Sequence, residues 1–356
     1  MSALKDTILR LIRAQGPISV SQYMQIALGD PVGGYYMRAD PIGRDFITAP
    51  EVSQIFGELI GLFFVQAWED RGRPEKFHLV ELGPGRGTLM ADMLRVAKIR
   101  PAFLEAAHVS LVETSPALRA VQAKTLAGMR VEWRSHFGDV PKDAPLFLIA
   151  NEFFDALPAR QFVRAERGWH ERMVTAKDDA LMFALAPDTV PGEMIPSLLR
   201  DAPLGAVFEF SPACQAIAKE IAYRILEPDG IALILDYGHA QSGLGDTFQA
   251  VKAHAYADPL AEPGEADLTF HVDFSALVQV ATAAGGRVFG PAPQGSFLTI
   301  LGIETRADQL RLASPNKVEE VDAAIDRLVN PAQMGATFKV VAFTSASAST
   351  LPGFSR

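Results

Sequence analysis

The chain has 356 residues, of which 49% are hydrophobic and 21% charged, enough for one enlarged domain or two ordinary ones. Its net charge of −9 argues against a general binder of nucleic acids or anionic membranes, whose surface would be basic. The single cysteine, Cys214, excludes an internal disulfide framework and a cysteine-rich zinc site. The most apolar stretch, 60–67, is much shorter than the ~18 residues of a membrane span, so none is expected. Neither a secretory signal nor a transit segment is visible, which predicts a bacterial cytoplasmic location.

The N-terminal part is predicted to be helical. Apolar residues at helical spacing indicate helices over 4–12, 20–28 and 52–69. Between the second and the third, residues 29–50 are rich in Gly, Pro and Asp and predict a long irregular loop. Long loops in compact proteins are more often functional than accidental.

From residue 77 onwards the pattern alternates between strands and helices. Short apolar runs predict strands over 77–82, 109–113, 131–133, 146–150 and 231–238. This spacing indicates βαβ units and a parallel sheet. Residues 161–186 break the rhythm and predict an inserted antiparallel subdomain with turns at Gly168 and at 178–179. A loop over 239–273, a helix over 274–284, paired runs at 287–290 and 297–303, and a helix over 318–328 follow.

The first strand runs directly into a glycine-rich loop, ELGPGRG (81–87). A phosphate-binding P-loop would need a different spacing and a lysine, and Thr88 stands where a dinucleotide fingerprint has its third small residue. The pattern (E/D)xGxGxG resembles motif I of class I S-adenosylmethionine (SAM) methyltransferases. The resemblance implies that Glu81, Gly83, Pro84, Gly85 and Gly87 bind SAM. The acid Glu81 suits the cationic amino group and sulfonium of that ligand.

Further polar residues follow the next strands. Glu113 lies where a carboxylate can accept both ribose hydroxyls of a nucleoside, although a solvated strand-end acid is the alternative. The stretch 136–139, with Phe137, occupies the usual adenine-contacting region. Asn151 is followed by aromatic residues, as is the Asn or Asp that lies beside the methyl acceptor in amino-group methyltransferases, and it is assigned to SAM binding. Glu152 and Asp155 are expected on one face of a helix start, either holding a guanidinium or complementing the helix dipole.

Several longer motifs make the resemblance specific. ELGPGRG, NEFFDALP, LILDYGH, HVDFSAL and GSFLTILGI, in this order, with FITAPEVSQIFGE upstream, resemble the MidA-type family of SAM-dependent methyltransferases. Mitochondrial members of that family are protein arginine methyltransferases that act on a core subunit of respiratory complex I. The resemblance implies that Thr48, Pro50 and Glu51 fold over the SAM site. The sequence departs from the family at 133–141, where relatives carry an acid near His136.

The predicted fold is therefore α/β: a class I SAM-methyltransferase (Rossmann-like) sheet with an N-terminal helical extension and an inserted antiparallel β subdomain. The expected domains are 1–75 (helical arm and SAM-covering loop), 76–310 (methyltransferase domain, insertion at about 161–205) and 311–356 (C-terminal helix and tail). Asp236 and His239, at a strand end, are assigned to the substrate side together with Glu152 and Asp155. The His and Asp residues of 236–273 lack compact ligand spacing, so no metal is expected.

The predicted function is SAM-dependent methylation of a protein arginine. The family resemblance implies a core subunit of complex I as the substrate, and no nucleic-acid partner is expected. Two alternatives remain open at this stage. A nicotinamide-dependent oxidoreductase would bind NADH through the glycine loop. A non-catalytic assembly factor for complex I would retain SAM binding only for structure.

Overall fold

The computed structural model of the chain describes residues 3–37, 45, 47–345 and 350–355, so parts of the predicted 29–50 loop and of the C-terminal tail lie outside the described residues. The α-helices found in these residues are α1 (Ala3–Gln15), α2 (Val20–Gly29), α3 (Ala49–Val52), α4 (Gln54–Asp70), α5 (Thr88–Val96), α6 (Pro101–Ala106), α7 (Pro116–Thr125), α8 (Pro212–Leu226), α9 (Phe274–Ala283), α10 (Gln294–Ile300), α11 (Ile303–Ala313), α12 (Val318–Val329) and α13 (Met334–Thr337).

The β-strands of the same residues are β1 (Ile18–Ser19), β2 (Phe77–Leu82), β3 (Ala107–Val112), β4 (Val131–Arg134), β5 (Leu146–Asn151), β6 (Arg160–Ala165), β7 (Gly168–Lys177), β8 (Ala180–Thr189), β9 (Val207–Phe210), β10 (Ile231–His239), β11 (Gln249–Lys252), β12 (Ala255–Ala257), β13 (Asp267–Thr269), β14 (Val272–Asp273), β15 (Arg287–Pro293) and β16 (Phe338–Thr344).

The chain forms two compact units. The sheet unit comprises Ile47–Phe154, Ile217–Ala240 and Phe274–Arg356, and the insertion unit comprises Met1–Phe46, Asp155–Ala216 and Gln241–Asp273. The segment 1–75, which the sequence groups as one arm, contributes to both units. No helix in the described part of the chain has the length and apolar character needed to cross a membrane.

The sheet unit is built on one mixed sheet with the order β15-β16-β10-β5-β2-β3-β4. The strands from β4 to β10 are parallel, as the alternation of strands and helices predicted. Every residue of β2 and β5 is buried, which suits strands covered on both faces. The carboxyl ends of these parallel strands therefore meet at one edge of the sheet, where α/β folds bind their ligands.

The C-terminal end of this sheet differs from the prediction. Residues 297–303, predicted as the partner strand of 287–290, instead form α10 and the start of α11, so that prediction was wrong. The strand β16 was not predicted and lies antiparallel between β10 and β15. A short apolar run does not distinguish a strand from a buried helix by its periodicity, and the true partner of β15 is far along the chain.

Helix α4 packs closely on α5 because two glycines face it. A Cβ atom at Gly57 would lie 2.6 Å from the Asp92 Cβ, and one at Gly61 would lie 2.6 Å from a Val96 methyl group. The two glycines are one helical turn apart and thus share one face of α4. Because these glycines have no side chains, α5, which follows the glycine loop, packs closely against α4.

The insertion unit contains the predicted antiparallel subdomain. Strands β6 and β7 pair antiparallel, as do β7 and β8. The second turn lies at 178–179 as expected, whereas the first lies at 166–167, and Gly168, predicted at that turn, is the first residue of β7. Asp178 and Asp179 both have positive φ, as a tight two-residue hairpin turn requires. A small core forms around Phe162 and Trp169. The segment 239–273, predicted as a loop, includes the small antiparallel sheet β12-β11-β13.

Candidate methyl-donor site

The glycine loop makes a tight turn between β2 and α5. Gly83, Gly85 and Gly87 all have positive φ (60°, 51° and 81°), a backbone conformation that side chains disfavour. The Gly83 N–H donates to the Val112 carbonyl at 3.1 Å, and the Gly87 N–H donates to the Pro84 carbonyl at 2.7 Å. Gly87 is also the N-cap of α5. The loop thus presents bare backbone beside a helix N-terminus.

Glu81 is a buried acid with one unused oxygen. Its side chain lies in β2 and the residue is only 3% exposed. Burial raises the pKa of Glu81 to about 8. A hydrogen bond from the Met90 backbone N–H partly opposes this rise. Within the described residues the Oε2 atom accepts no hydrogen bond. A buried acceptor left unsatisfied is costly, so this oxygen is suited to a cationic or hydrogen-bond-donating ligand.

Asn151 offers a second unused oxygen on the neighbouring strand. Its Nδ2 donates to the Glu152 Oε1 at 3.0 Å, whereas its buried Oδ1 has no hydrogen-bond partner in the described part of the chain. Glu81 pairs in register with Ile149, which lies two residues before Asn151. Because side chains alternate along a strand, Glu81 and Asn151 project from the same face of the sheet. The two oxygens therefore lie at one edge and on one face.

Glu113 follows β3 and is held by neighbouring donors. Its Oε1 accepts from the Ser115 N–H at 2.7 Å, and its Oε2 accepts from the Gln122 Nε2 at 3.2 Å. Burial raises the pKa of Glu113, although these hydrogen bonds oppose the shift. Ser115 also caps α7, as its position before Pro116 predicted.

Gln122 was missed by sequence reasoning. It is completely buried on α7, and its Nε2 also donates to the Gly85 carbonyl at 2.8 Å. The available signal is its place on the helix, four residues after Leu118 and four before Leu126, both of which are buried. A polar side chain on an otherwise apolar helical stripe marks a position where its hydrogen bonds must be satisfied internally.

The segment expected to cover the site contacts the glycine loop. Thr48 precedes α3 as its N-cap, Pro50 lies in the first turn, and Glu51 follows. The Thr88 hydroxyl donates to the Glu51 Oε1 at 2.5 Å. Thr88, whose position argued against a dinucleotide fingerprint, thus connects this segment to the start of α5 by a hydrogen bond.

Glu152 does not begin a helix, and this part of the prediction was wrong. Residues 152–157 form bends and turns, and Glu152 itself has a positive φ of 50°. Its Oε1 accepts from the Ala49 N–H at 2.8 Å as well as from Asn151. Asp155, expected on the same helical face, belongs to the insertion unit. A non-glycine residue with positive φ interrupts the helical backbone, which explains the difference.

Asp236 and His239 lie on β10, next to β5. The completely buried Asp236 carboxylate accepts from the backbone N–H groups of Phe153, Phe154 and Tyr237 at 3.2, 2.9 and 2.9 Å. Leu235 pairs with Asn151, so Asp236 projects from the opposite face of the sheet. Its observed contacts therefore fix the turn after β5. His239 is the last residue of β10.

Phe137 starts a short 3₁₀ helix after β4 and is 8% exposed. The Arg224 guanidinium carbon lies 4.8 Å from the centre of its ring, and Arg224 donates to the Phe137 carbonyl at 3.2 Å. These contacts hold the aromatic ring in place.

The insertion unit holds an acidic cluster around Asp155. Asp155 and Asp267 are each 6% exposed, and the Tyr36 hydroxyl donates to the Asp267 Oδ1 at 2.7 Å. Burial and the nearby Asp155 charge raise the pKa of Asp267 to about 7. Sequence reasoning found Asp155 but not Asp267. In the described part of the chain, no group of His, Cys, Asp and Glu has the arrangement of a metal site.

Comparison with known proteins agrees with this geometry. Residues 59–292 match a family model described as "Putative S-adenosyl-L-methionine-dependent methyltransferase". A mouse protein named protein arginine methyltransferase NDUFAF7, mitochondrial, is 40% identical over 92% of this chain and 81% of its own length. The Drosophila melanogaster homologue is 38% identical over 93% of this chain and 82% of its own.

A solved structure from Burkholderia thailandensis, bound to S-adenosyl-homocysteine, has a TM-score of 0.86 and 29% identity, covering 99% of this chain and 95% of its own. The fold is that of a class I methyltransferase, and SAM is its cofactor. The chain belongs to the MidA-like family of SAM-dependent methyltransferases.

Proposed function

We propose that this protein transfers a methyl group from SAM to an arginine guanidinium of a protein substrate. The observation that carries the proposal is the pair of buried oxygens, Glu81 Oε2 and Asn151 Oδ1, that have no hydrogen-bond donor among the described residues and lie beside the glycine turn. They suit the cationic amino group of SAM, which can donate to both. The relatives named protein arginine methyltransferases support arginine as the acceptor.

The remaining residues of the loop edge complete the proposed cofactor site. Glu113 would accept from the ribose, since its hydrogen bonds with Ser115, Thr114 and Gln122 leave part of the acceptor capacity of the carboxylate unused. Gly83, Gly85 and Gly87 would let the ligand approach the backbone, and Phe137 would contact the adenine. Thr48, Pro50 and Glu51 would cover the site next to Thr88.

The chemistry asks the protein mainly for alignment. When bound, SAM supplies an electrophilic methyl group on its sulfonium. The protein would hold the guanidinium nitrogen in line with that methyl group, so that the new C–N bond forms as the methyl–sulfur bond breaks and the nitrogen's proton passes to a nearby carboxylate or to water. Acids are suited to orient a guanidinium through paired hydrogen bonds. We assign Glu152 and His239 to the acceptor side, and Asp236 to holding the backbone turn that carries Glu152. A contact of Asp155 with the acceptor stays a prediction.

We further propose, from the family resemblance, that the substrate is a core subunit of respiratory complex I. The test is incubation of the protein with isotopically labelled SAM and that subunit, followed by mass spectrometry of the subunit's peptides. We expect label on an arginine. An unmodified subunit under conditions where SAM binding is proven would favour the non-catalytic assembly factor, and binding of NADH in place of SAM would favour the oxidoreductase. The bacterial cytoplasmic location stays a prediction, because the curated relatives are named mitochondrial proteins; cell fractionation tests it.

A further inference from the structure

Gln122 joins three parts of the proposed cofactor site through one buried amide. Its Nε2 donates to the Gly85 carbonyl at 2.8 Å and to the Glu113 Oε2 at 3.2 Å. Its Oε1 accepts from the Trp133 indole N–H at 2.9 Å. Since the residue is 0% exposed, water does not compete for these hydrogen bonds.

The orientation of this amide follows from its partners. The indole N–H of Trp133 is only a donor, so it must face the amide oxygen. The Gly85 carbonyl is only an acceptor, so it must face the NH₂ group. A flipped amide would place donor against donor and acceptor against acceptor. The NH₂ group therefore has to point at the Glu113 carboxylate and the glycine loop.

This arrangement holds the Glu113 carboxylate in one position. The Ser115 N–H binds one oxygen and Gln122 binds the other, so rotation of the carboxylate breaks at least one hydrogen bond. A carboxylate fixed before the ligand arrives loses less conformational entropy on binding. The same amide fixes the distance between Glu113 and the Gly85 carbonyl.

We propose that Gln122 is a positioning residue that sets recognition of the cofactor's ribose by orienting Glu113 against the glycine loop. This inference rests on the proposed function, because it takes Glu113 as the ribose acceptor. A purely structural role for Gln122 would lower stability without changing how strongly the protein distinguishes ligands with and without a ribose hydroxyl.

The test compares the dissociation constants of S-adenosylhomocysteine and its 2′-deoxy analogue by isothermal titration. A hydrogen bond to a charged group supports a preference of about 10- to 100-fold for the hydroxylated ligand in the unaltered protein. Glu113→Gln, which removes the proposed ribose acceptor, gives the reference ratio of the two dissociation constants. Gln122→Met keeps the length of the side chain but removes its amide, and we expect its ratio to fall to within about threefold of that reference. A preference that Gln122→Met leaves unchanged would overturn the inference.

Gln294→Met is the matched control. Gln294 is also 0% exposed and donates one hydrogen bond, to the Leu328 carbonyl, but belongs to α10. We expect this variant to lose stability and keep the ribose preference. An equal loss of preference there would contradict the inference, since any buried glutamine would then act in the same way.

A second variant keeps the test decisive if Gln122→Met does not fold. Trp133→Phe removes only the indole donor that orients the amide, and we expect a partial loss of ribose preference; no loss would overturn the inference. Absence of S-adenosylhomocysteine binding in the unaltered protein contradicts the proposed function, whereas tight binding without ribose preference contradicts the assignment of Glu113 and with it that of Gln122.

Discussion

Gly85 is the central one of the three loop glycines that have positive φ. Its φ of 51° lies in the left-handed region, where a β-branched side chain is strongly disfavoured. Gly85→Val would also place a branched side chain where the cofactor must approach. We expect its affinity for S-adenosylhomocysteine to fall at least tenfold, measured by isothermal titration.

Gly72→Val is a suitable control for backbone strain. Gly72 has a φ of 77° and open space around its missing Cβ, and lies after α4, away from the loop. We expect Gly72→Val to lower the free energy of unfolding about as much as Gly85→Val does, but to retain the affinity for S-adenosylhomocysteine. If both variants lost affinity equally, the glycine loop would not be the binding element.

Glu81 predicts how stability depends on pH. Its folded-state pKa of about 8 lies above the ordinary 4.5, so the folded state holds a proton that the unfolded state releases. The free energy of unfolding contributed by this group therefore falls as pH rises from about 4.5 to 8. Glu81→Gln removes the ionisable group, and we expect the variant to be more stable than the unaltered protein at pH 8 by roughly 4 kcal/mol.

Urea unfolding without ligand at pH 5 and pH 8 measures this difference. The gain should shrink towards pH 5, where the folded protein already carries the proton. An equal difference at both pH values would show that Glu81 is not the titrating group. The same substitution should weaken binding of SAM, whose cationic amino group we pair with the carboxylate.

At the scale of the elements, the contact between α4 and α5 depends on a missing side chain. A Cβ at Gly61 would lie 2.8 Å from the Met93 Cα as well as close to Val96, and backbone does not yield easily. We expect Gly61→Ala to lower the free energy of unfolding by about 1–3 kcal/mol, as overpacking of a core usually does. Urea denaturation measures the change.

Gly29→Ala, in helix α2, is the control for the Gly61→Ala substitution in α4. Gly29 ends α2 and has no atom within 4 Å of its missing Cβ. Alanine there should be neutral or slightly stabilising, because it restricts only the unfolded chain. A Gly61→Ala protein as stable as Gly29→Ala would mean that the two helices are not in close contact.

At the scale of the whole molecule, the tryptophans divide between the two units. Trp68 and Trp133 belong to the sheet unit and Trp169 to the insertion unit, so fluorescence of Trp169→Phe reports only on the sheet unit. A ligand at 100 times its dissociation constant stabilises by about 2.7 kcal/mol. For a unit of this size we expect S-adenosylhomocysteine to raise the midpoint of thermal unfolding by about 5–10 °C.

NADH is the comparison ligand for this experiment and should leave the midpoint unchanged. A shift with NADH and none with S-adenosylhomocysteine would contradict assignment of the cofactor site to the sheet unit. That result would also favour the alternative function, a nicotinamide-dependent oxidoreductase, against which the position of Thr88 argued.

Features that depend on neighbouring residues could be predicted from the amino-acid sequence. The glycine loop, the buried strands around it, the Ser115 cap and the hairpin at 178–179 all follow from local backbone preference or from a short hydrophobic period. These were predictable because the residues that produce each feature lie within one or two elements of each other. The family motifs added the cofactor.

Features that join distant residues became visible only in the folded chain. Gln122 meets Gly85 across 37 positions, and Asp236 meets Phe154 across 82. The strand β16 is inserted between β15 and β10 from near the C-terminus, and Glu152 leaves β5 in a turn because Asp236 and Leu235 bind the backbone there. A hydrogen bond between distant elements leaves no periodic mark in the chain, so its partners become visible only when the folded sheet brings them together.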